Sequence, residues 1–205
     1  MEAGKRTIRE IFNRGRNLEI PFFQRQYVWD DKEWERFLDD MEQISTSKRP
    51  YFLGSVILKQ QHTPSNSDEK RTVVDGQQRL TTLNIFFKVL CLKEDLNSDF
   101  QQVFKKQRKP HENILIHNRH DISSFNKILN LEELEDIPST DQITKAYNFF
   151  KEKIDEVRLN NLDIFNLVDN IVFVGIDLSY DDNEQLIFDT INSLGVRLTT
   201  AELLK

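Results

Sequence analysis

Apolar positions along this chain follow two periods, and the elements appear where one gives way to the other. Alternation or short apolar runs mark strands at 18–21, 52–60, 71–75, 114–116 and 171–176. Helical spacing links Trp34, Phe37, Leu38, Met41 and Ile44, then Leu80, Leu83, Phe86, Phe87 and Leu90 on one broad apolar face. It recurs in Phe125, Ile128 and Leu129, in Ile143, Tyr147, Phe150, Ile154 and Val157, and in a short stretch at 163–168. Capping residues punctuate these runs: Thr7 with Glu10, Asp30 with Glu33, and the 139–141 stretch. Near the end, Asp181-Asp182 opens a helix through Leu186, Ile187 and Ile191 that stops at Asn192-Ser193-Leu194-Gly195. Thr199 with Glu202 then caps a final helix, and a pattern cut off inside a helix leads us to expect a longer protein. Strands 52–60 and 71–75, joined by a polar loop, form a hairpin that runs into the helix beginning near residue 77.

Composition narrows the classes. A chain of 205 residues suits one generous domain, or a domain and part of a second, and buries a core without staples. With 15 Phe against 6 Gly and 5 Pro, it reads as folded and largely helical. A net charge of −6 confines any nucleic-acid contact to a local basic patch. The single cysteine, Cys91, lies in an apolar helix pattern, so a reducing cytoplasm is the expected compartment. No apolar run spans a bilayer and the first residues lack a signal-peptide core, so no membrane partner is expected. The acidic residues Asp39, Asp40 and Glu42 read as a solvated helix face.

The densest polar chemistry is in VVDGQQRLTTL, residues 73–83. A strand ending in a turn at a helix N-terminus offers unpaired N–H groups and a positive dipole end, an arrangement suited to an anion. Asp75, Gly76, Gln77, Gln78 and Arg79 follow one another there. Spacing alone is equally consistent with an ordinary hairpin strand, turn and helix whose polar residues face water. In IPFFQRQYVW, residues 20–29, Gln24 and Arg25 sit among Phe22, Phe23, Tyr27 and Trp29. Either these line a groove for a base, phosphate or sugar, or the aromatics pin a loop whose polar side chains bind neighbouring backbone. Lys105, Lys106, Arg108 and Lys109 form the dense basic run, which with Arg119 would track a phosphate backbone or else stand solvated in a loop. His117, His120 and Asp121, in HNRHD, lack the ligand spacing of a metal site. No Walker A loop is present.

Read together with FLGS (52–55) and IFDTINSLGVRLTTAELLK (187–205), those two blocks resemble the N-terminal domain of GmrSD-type restriction endonucleases. This is domain-of-unknown-function family 262, in the wider ParB/sulfiredoxin-like group. The resemblance covers nearly the whole chain. It departs at Phe23, where the family often has Tyr. It implies an α+β fold: a ParB/sulfiredoxin-like core with a small mixed sheet surrounded by helices, followed by a helical segment. Residues 1–95 would form the core carrying DGQQR, and 96–205 a helix-rich continuation completing the site with a late strand and the INSLG block, ending before any nuclease domain. The resemblance further implies nucleoside triphosphate binding and hydrolysis, Mg²⁺, and sensing of modified phage DNA for a separate HNH-type nuclease domain. DNA cleavage by this chain alone is not expected, nor is sulfiredoxin-like chemistry.

The roles it implies are specific. Asp75, Gln77, Gln78 and Arg79 would be catalytic, Asp75 holding the metal or orienting a glutamine and Gln77 or Gln78 positioning water. Gln24, Arg25, Tyr27, Trp29, Gly76, Asn192, Gly195 and Arg197 would contact or shape the nucleotide pocket, with Tyr27 and Trp29 either pocket wall or core. Lys105, Lys106, Arg108 and Lys109 would contact DNA. A non-enzymatic DNA-binding or adaptor module of the same fold is the alternative, and self-association is left open.

Overall fold

A computed structural model describes residues 2–183 of the chain. Its elements, in order, are β1 (Glu2–Thr7), α1 (Ile8–Ile11), β2 (Arg16–Glu19), α2 (Asp31–Ser47), β3 (Tyr51–Gln60), β4 (Glu69–Asp75), α3 (Gln77–Lys93) and α4 (Asn97–Phe104). There follow β5 (Leu115–Ile116), α5 (Ile122–Leu129), α6 (Gln142–Lys153), α7 (Glu156–Leu159), α8 (Ile164–Asn170) and β6 (Ile171–Leu178). The strands form one mixed sheet in the order β1-β6-β3-β4-β2-β5, so the fold is α+β. β1 pairs antiparallel to β6, β6 parallel to β3, β3 antiparallel to β4, and β4 parallel to β2, which is parallel to β5. β5 and β6, both beyond residue 95, therefore belong to the same sheet as the hairpin.

The expected hairpin is the centre of this sheet. β3 and β4 pair from Gln60↔Arg71 to Ile57↔Asp75, with a bulge where the register shifts between Ile57 and Leu58. The helix starts also follow their caps. Thr7 and Glu10 close a capping box before α1, Asp30 and Glu33 close one before α2, and Asp141 accepts from Thr144 N–H before α6.

Helix α3 departs from the expected one-sided helix. From Gln77 to Cys91 all of its residues except Arg79 are buried, polar ones included. It is the central helix of the domain, and its apolar positions go all the way round because α4, α5 and α6 enclose it. The phenylalanines knit this core edge to face. Phe37–Phe86, Phe86–Phe150 and Phe37–Phe150 have ring centroids 5.5, 5.6 and 6.1 Å apart. The buried thiol of Cys91 is pushed up to about 12 by desolvation, so it packs as a small apolar group.

Three further details differ from the sequence reading. β1, α4 and α7 are additional elements; β1 has no apolar alternation and is held by its ladder to β6. Helix α6 ends at Lys153, leaving Val157 exposed on α7. The acidic face of α2 is not simply solvated. Arg158 of α7 reaches Glu35 at 2.6 Å, Asp39 at 3.4 Å and Glu42 at 3.8 Å, clasping α7 to it. Asp181 and Asp182, expected to open a helix, sit in a turn in which Ser179 N–H donates to Asp182. The rest of that helix through Ile191, the cap at Thr199, and Asn192, Gly195 and Arg197 lie outside the described residues.

Candidate functional site at the strand–helix turn

Strand β4 ends at Asp75, and the chain turns into α3 through Gly76. Gly76 has φ 96°, in the left-handed region, and a Cβ there would lie 3.0 Å from Val56 Cγ2 and 3.1 Å from the Ser55 carbonyl oxygen. Both conformation and space restrict this position to glycine. No side chain caps the N-terminus of α3, so its first-turn N–H groups receive no help from a neighbouring Ser, Thr, Asp or Asn. The 17-residue helix directs its positive end at the turn.

Arg79 folds back across β3. Its Nη2 donates to the Ser55 carbonyl at 2.5 Å and lies 3.4 Å from Asp75 Oδ2, while Ser55 Oγ approaches the same Asp75 oxygen at 3.5 Å. Its Nε is buried without a partner. Asp75 and Arg79 both remain partly exposed, so the turn presents a carboxylate, a hydroxyl and a guanidinium together.

The two glutamines fasten the 20–29 loop to α3. Gln78 Oε1 accepts from Val28 N–H at 2.9 Å, and its Nε2 donates to the Gln26 carbonyl at 3.2 Å. Gln77 Nε2 donates to the Arg25 carbonyl at 3.0 Å, leaving its Oε1 without a partner although the residue is only 8% exposed. Gln24 fastens the loop from the other side, its Nε2 donating to the Val73 and Val74 carbonyls, each at 2.9 Å. Of the two readings of this loop, the backbone-binding one describes Gln24. Arg25 is exposed, and its guanidinium has no partner among the described residues.

The loop's aromatics divide. Tyr27 is buried, stacked on Trp34 at 6.5 Å, and desolvation holds its phenol well above the usual range. Trp29 is partly buried against the core and meets Phe37 edge-on at 6.5 Å. Phe22 and Phe23 stand 76% and 66% exposed beside Arg25.

The basic run does not stand on the surface as one patch. Lys105 is 2% exposed and its Nζ donates to Asn130 Oδ1 at 2.5 Å; desolvation brings it down to about 8. Lys106 is 6% exposed and pairs with Glu112 at 2.6 Å. Only Arg108 and Lys109 face outward, and Lys109 is paired with Glu112 at 3.0 Å.

Sequence reasoning assigned no role to His117, Asn118 and Asp121 after setting HNRHD aside as a metal site. The structure places them behind the turn. Asp121 Oδ2 accepts from Tyr27 N–H at 2.9 Å, and His117 Nε2 lies 2.8 Å from Thr81 Oγ1. Asn118 accepts from the N–H groups of His120 and Asp121. Ser55 and Gly54 were also missed as site residues, although both lie within the FLGS block. Among the described residues no group of three or more His, Cys, Asp or Glu is placed to hold a metal ion. Asp75 with the Ser55 hydroxyl fits Mg²⁺ only in its usual manner, with one carboxylate and the remaining ligands supplied by phosphate and water.

The fold is α+β, and its strand–helix turn combines an uncapped helix N-terminus, a left-handed glycine and a carboxylate–guanidinium pair, an arrangement chemically suited to an anion. The chain belongs to the family of the GmrSD restriction endonuclease, N-terminal domain, which it matches over residues 8–205. That places it in a restriction system, in which DNA and a nuclease domain are the partners the family suggests. No curated protein matches the sequence. Among the described residues, no helix is long and apolar enough to cross a membrane.

Proposed function

We propose that this domain binds and hydrolyses a nucleoside triphosphate at the Asp75–Arg79 turn, and that the nucleotide state regulates sensing of modified DNA for an HNH-type nuclease domain. The observation that carries this reading is the uncapped start of α3 behind a left-handed Gly76, with Asp75 and Arg79 beside it. A phosphate at the first turn would take the free N–H groups, with the Arg79 and Arg25 guanidinium groups neutralising its charge. Arg79 already lies over the turn, and Arg25 is unspent. Gln78 has both ends of its amide committed to the loop, whereas Gln77 Oε1 is unpaired though enclosed. This reading therefore assigns the attacking water to Gln77, its amide oxygen opening to the ligand on binding. Mg²⁺, when bound by Asp75 and the Ser55 hydroxyl, would neutralise charge on the phosphates. Asn192, Gly195 and Arg197 complete the pocket in this reading, as the resemblance implies.

Phosphate release from ATP and from GTP with Mg²⁺, by the wild-type chain and by Asp75→Ala and Arg79→Ala, tests the proposal. Turnover by the wild type that both variants lose supports it; equal turnover in all three, or none in the wild type with its nuclease partner present, ends it.

One observation favours the alternative, a DNA-binding module without catalysis. Phe22 and Phe23 are exposed next to Arg25, and Asn118 Nδ2 approaches the Gln24 carbonyl at 3.5 Å, bringing exposed Arg119 and His120 to the same loop. Two rings and cations on one edge suit stacking on a base beside phosphate. Salt-dependent DNA binding that survives Asp75→Ala but not Arg25→Ala would favour that module.

A further inference from the structure

Behind the turn, two hydrogen-bond chains run side by side and end on consecutive carbonyls of the DGQQR block. Thr82 Oγ1 donates to the Gln78 carbonyl at 2.9 Å, so it must accept from Tyr27 Oη at 2.6 Å. Tyr27 Oη in turn accepts from Trp34 Nε1 at 2.6 Å. One residue earlier, Thr81 Oγ1 donates to the Gln77 carbonyl at 2.7 Å and therefore accepts from His117 Nε2 at 2.8 Å. This fixes the proton of the neutral imidazole on Nε2. Nδ1 is left bare and without a hydrogen-bond partner, 3.5 Å from Asp121 Oδ2. That same Asp121 oxygen accepts the Tyr27 N–H.

His117 and Asp121 are both almost fully buried, and the ring of His117 rests on Phe125 with centroids 4.9 Å apart. A buried His–Asp pair is costly to keep in a core unless its hydrogen bonds hold something in place. Here it holds two things at once. Through Thr81 it reaches the backbone of Gln77, the glutamine whose Oε1 is unspent. Through Tyr27 N–H it reaches the loop that carries Arg25.

We infer that His117 and Asp121 are positioning residues of the nucleotide site, a buried brace that sets Gln77 through Thr81 and the Gln24–Val28 loop through Tyr27. This rests on the nucleotide reading above and adds to it two residues that touch neither phosphate nor metal. The brace also accounts for HNRHD, whose histidine and aspartate four residues apart face inward instead of gathering a metal.

The test combines hydrogen exchange by mass spectrometry with titration of the intact chain by Mg·ATP and Mg·GTP. His117→Ala and Asp121→Ala should speed exchange in peptides covering residues 22–30 and 76–84 by about tenfold, leave α2 and α6 unchanged, and weaken nucleotide binding about tenfold. Asp121→Asn keeps an acceptor for Tyr27 N–H, and His117→Gln can keep a donor for Thr81, so both should stay within about threefold of the wild type. Should the alanine variants fail to fold, Thr81→Val carries the test, since it cuts the link to Gln77 at constant volume. Variants that fold with unchanged exchange and affinity overturn the brace, as does exchange that rises evenly across the core. A wild-type chain that binds neither nucleotide overturns the nucleotide reading, and the brace's role in it, whatever the exchange pattern.

Discussion

A Cβ on residue 54 would lie 2.9 Å from Arg79 Nε, so Gly54 and Arg79 share a single space at the end of the sheet. Gly54 also has φ 136°, where L side chains are strained. Gly54→Ala should therefore displace the guanidinium from the Ser55 carbonyl and cost about 1–3 kcal/mol of stability. Nucleotide affinity should fall with it. Thermal unfolding and a nucleotide titration of the same preparation would show the two losses together.

Gln78, itself 8% exposed, makes its hydrogen bonds across the junction between loop and helix. Gln78→Leu leaves the Val28 N–H and the Gln26 carbonyl without their partners, at a cost of about 1–3 kcal/mol. Gln78→Glu keeps an acceptor for Val28 but buries a carboxylate with one oxygen against the Gln26 carbonyl, so at neutral pH it should be no more stable than Leu. Denaturant unfolding at neutral pH orders the three.

Burial brings His117 from 6.5 down to about 4. The unfolded chain therefore takes up a proton that the folded chain refuses, and stability contributed by this group is lost as pH falls from about 6.5 to about 4. Integrated over that window the loss reaches about 3 kcal/mol, from 1.36 kcal/mol per pH unit. Asp121, raised by its own burial, binds its proton more readily folded than unfolded and offsets part of the loss at the acid end. Denaturant midpoints at pH 7 and pH 5 should differ in the wild type and differ less in His117→Gln.

Lys105 and Lys106 should behave as core residues. Lys105→Ala removes the partner of Asn130 Oδ1 and Lys106→Ala one of the two lysines paired with Glu112, so both should lower the melting temperature. Neither should change the salt slope of any DNA binding, whereas Arg25→Ala or Arg119→Ala should reduce it by about one. Melting curves and DNA titrations at two salt concentrations separate the two effects.

The hairpin, the central turn and most helix starts could be read in advance because their signals are local. Asp30 and Glu33, or Thr7 and Glu10, lie within one turn of each other and decide a cap without reference to the rest of the chain. β1 could not be read so, since its residues alternate no apolar face and its partner β6 is the last described strand. The same limit applied to the site. DGQQR marked a strand–helix turn, which the structure has, but that Gln77 and Gln78 grip a loop some fifty residues earlier is a tertiary fact. Lys105 and Lys106 looked like surface because four charges stood nearly in succession. Their partners are Asn130, brought to Lys105 by the folded chain, and Glu112, six residues beyond Lys106. HNRHD was judged by metal spacing, a test that cannot reveal a brace between two other segments.

The proposed function stands or falls on whether a phosphate-bearing ligand occupies the turn that Gly76 shapes. Calorimetric titration of the wild-type chain and of Arg79→Ala with Mg·ATP and Mg·GTP measures that directly. We predict saturable binding of at least one nucleotide by the wild type, weakened tenfold or more in Arg79→Ala, with both proteins melting within a few degrees of each other. Equal affinity in the two proteins, or no heat of binding for the wild type with either nucleotide, would contradict it.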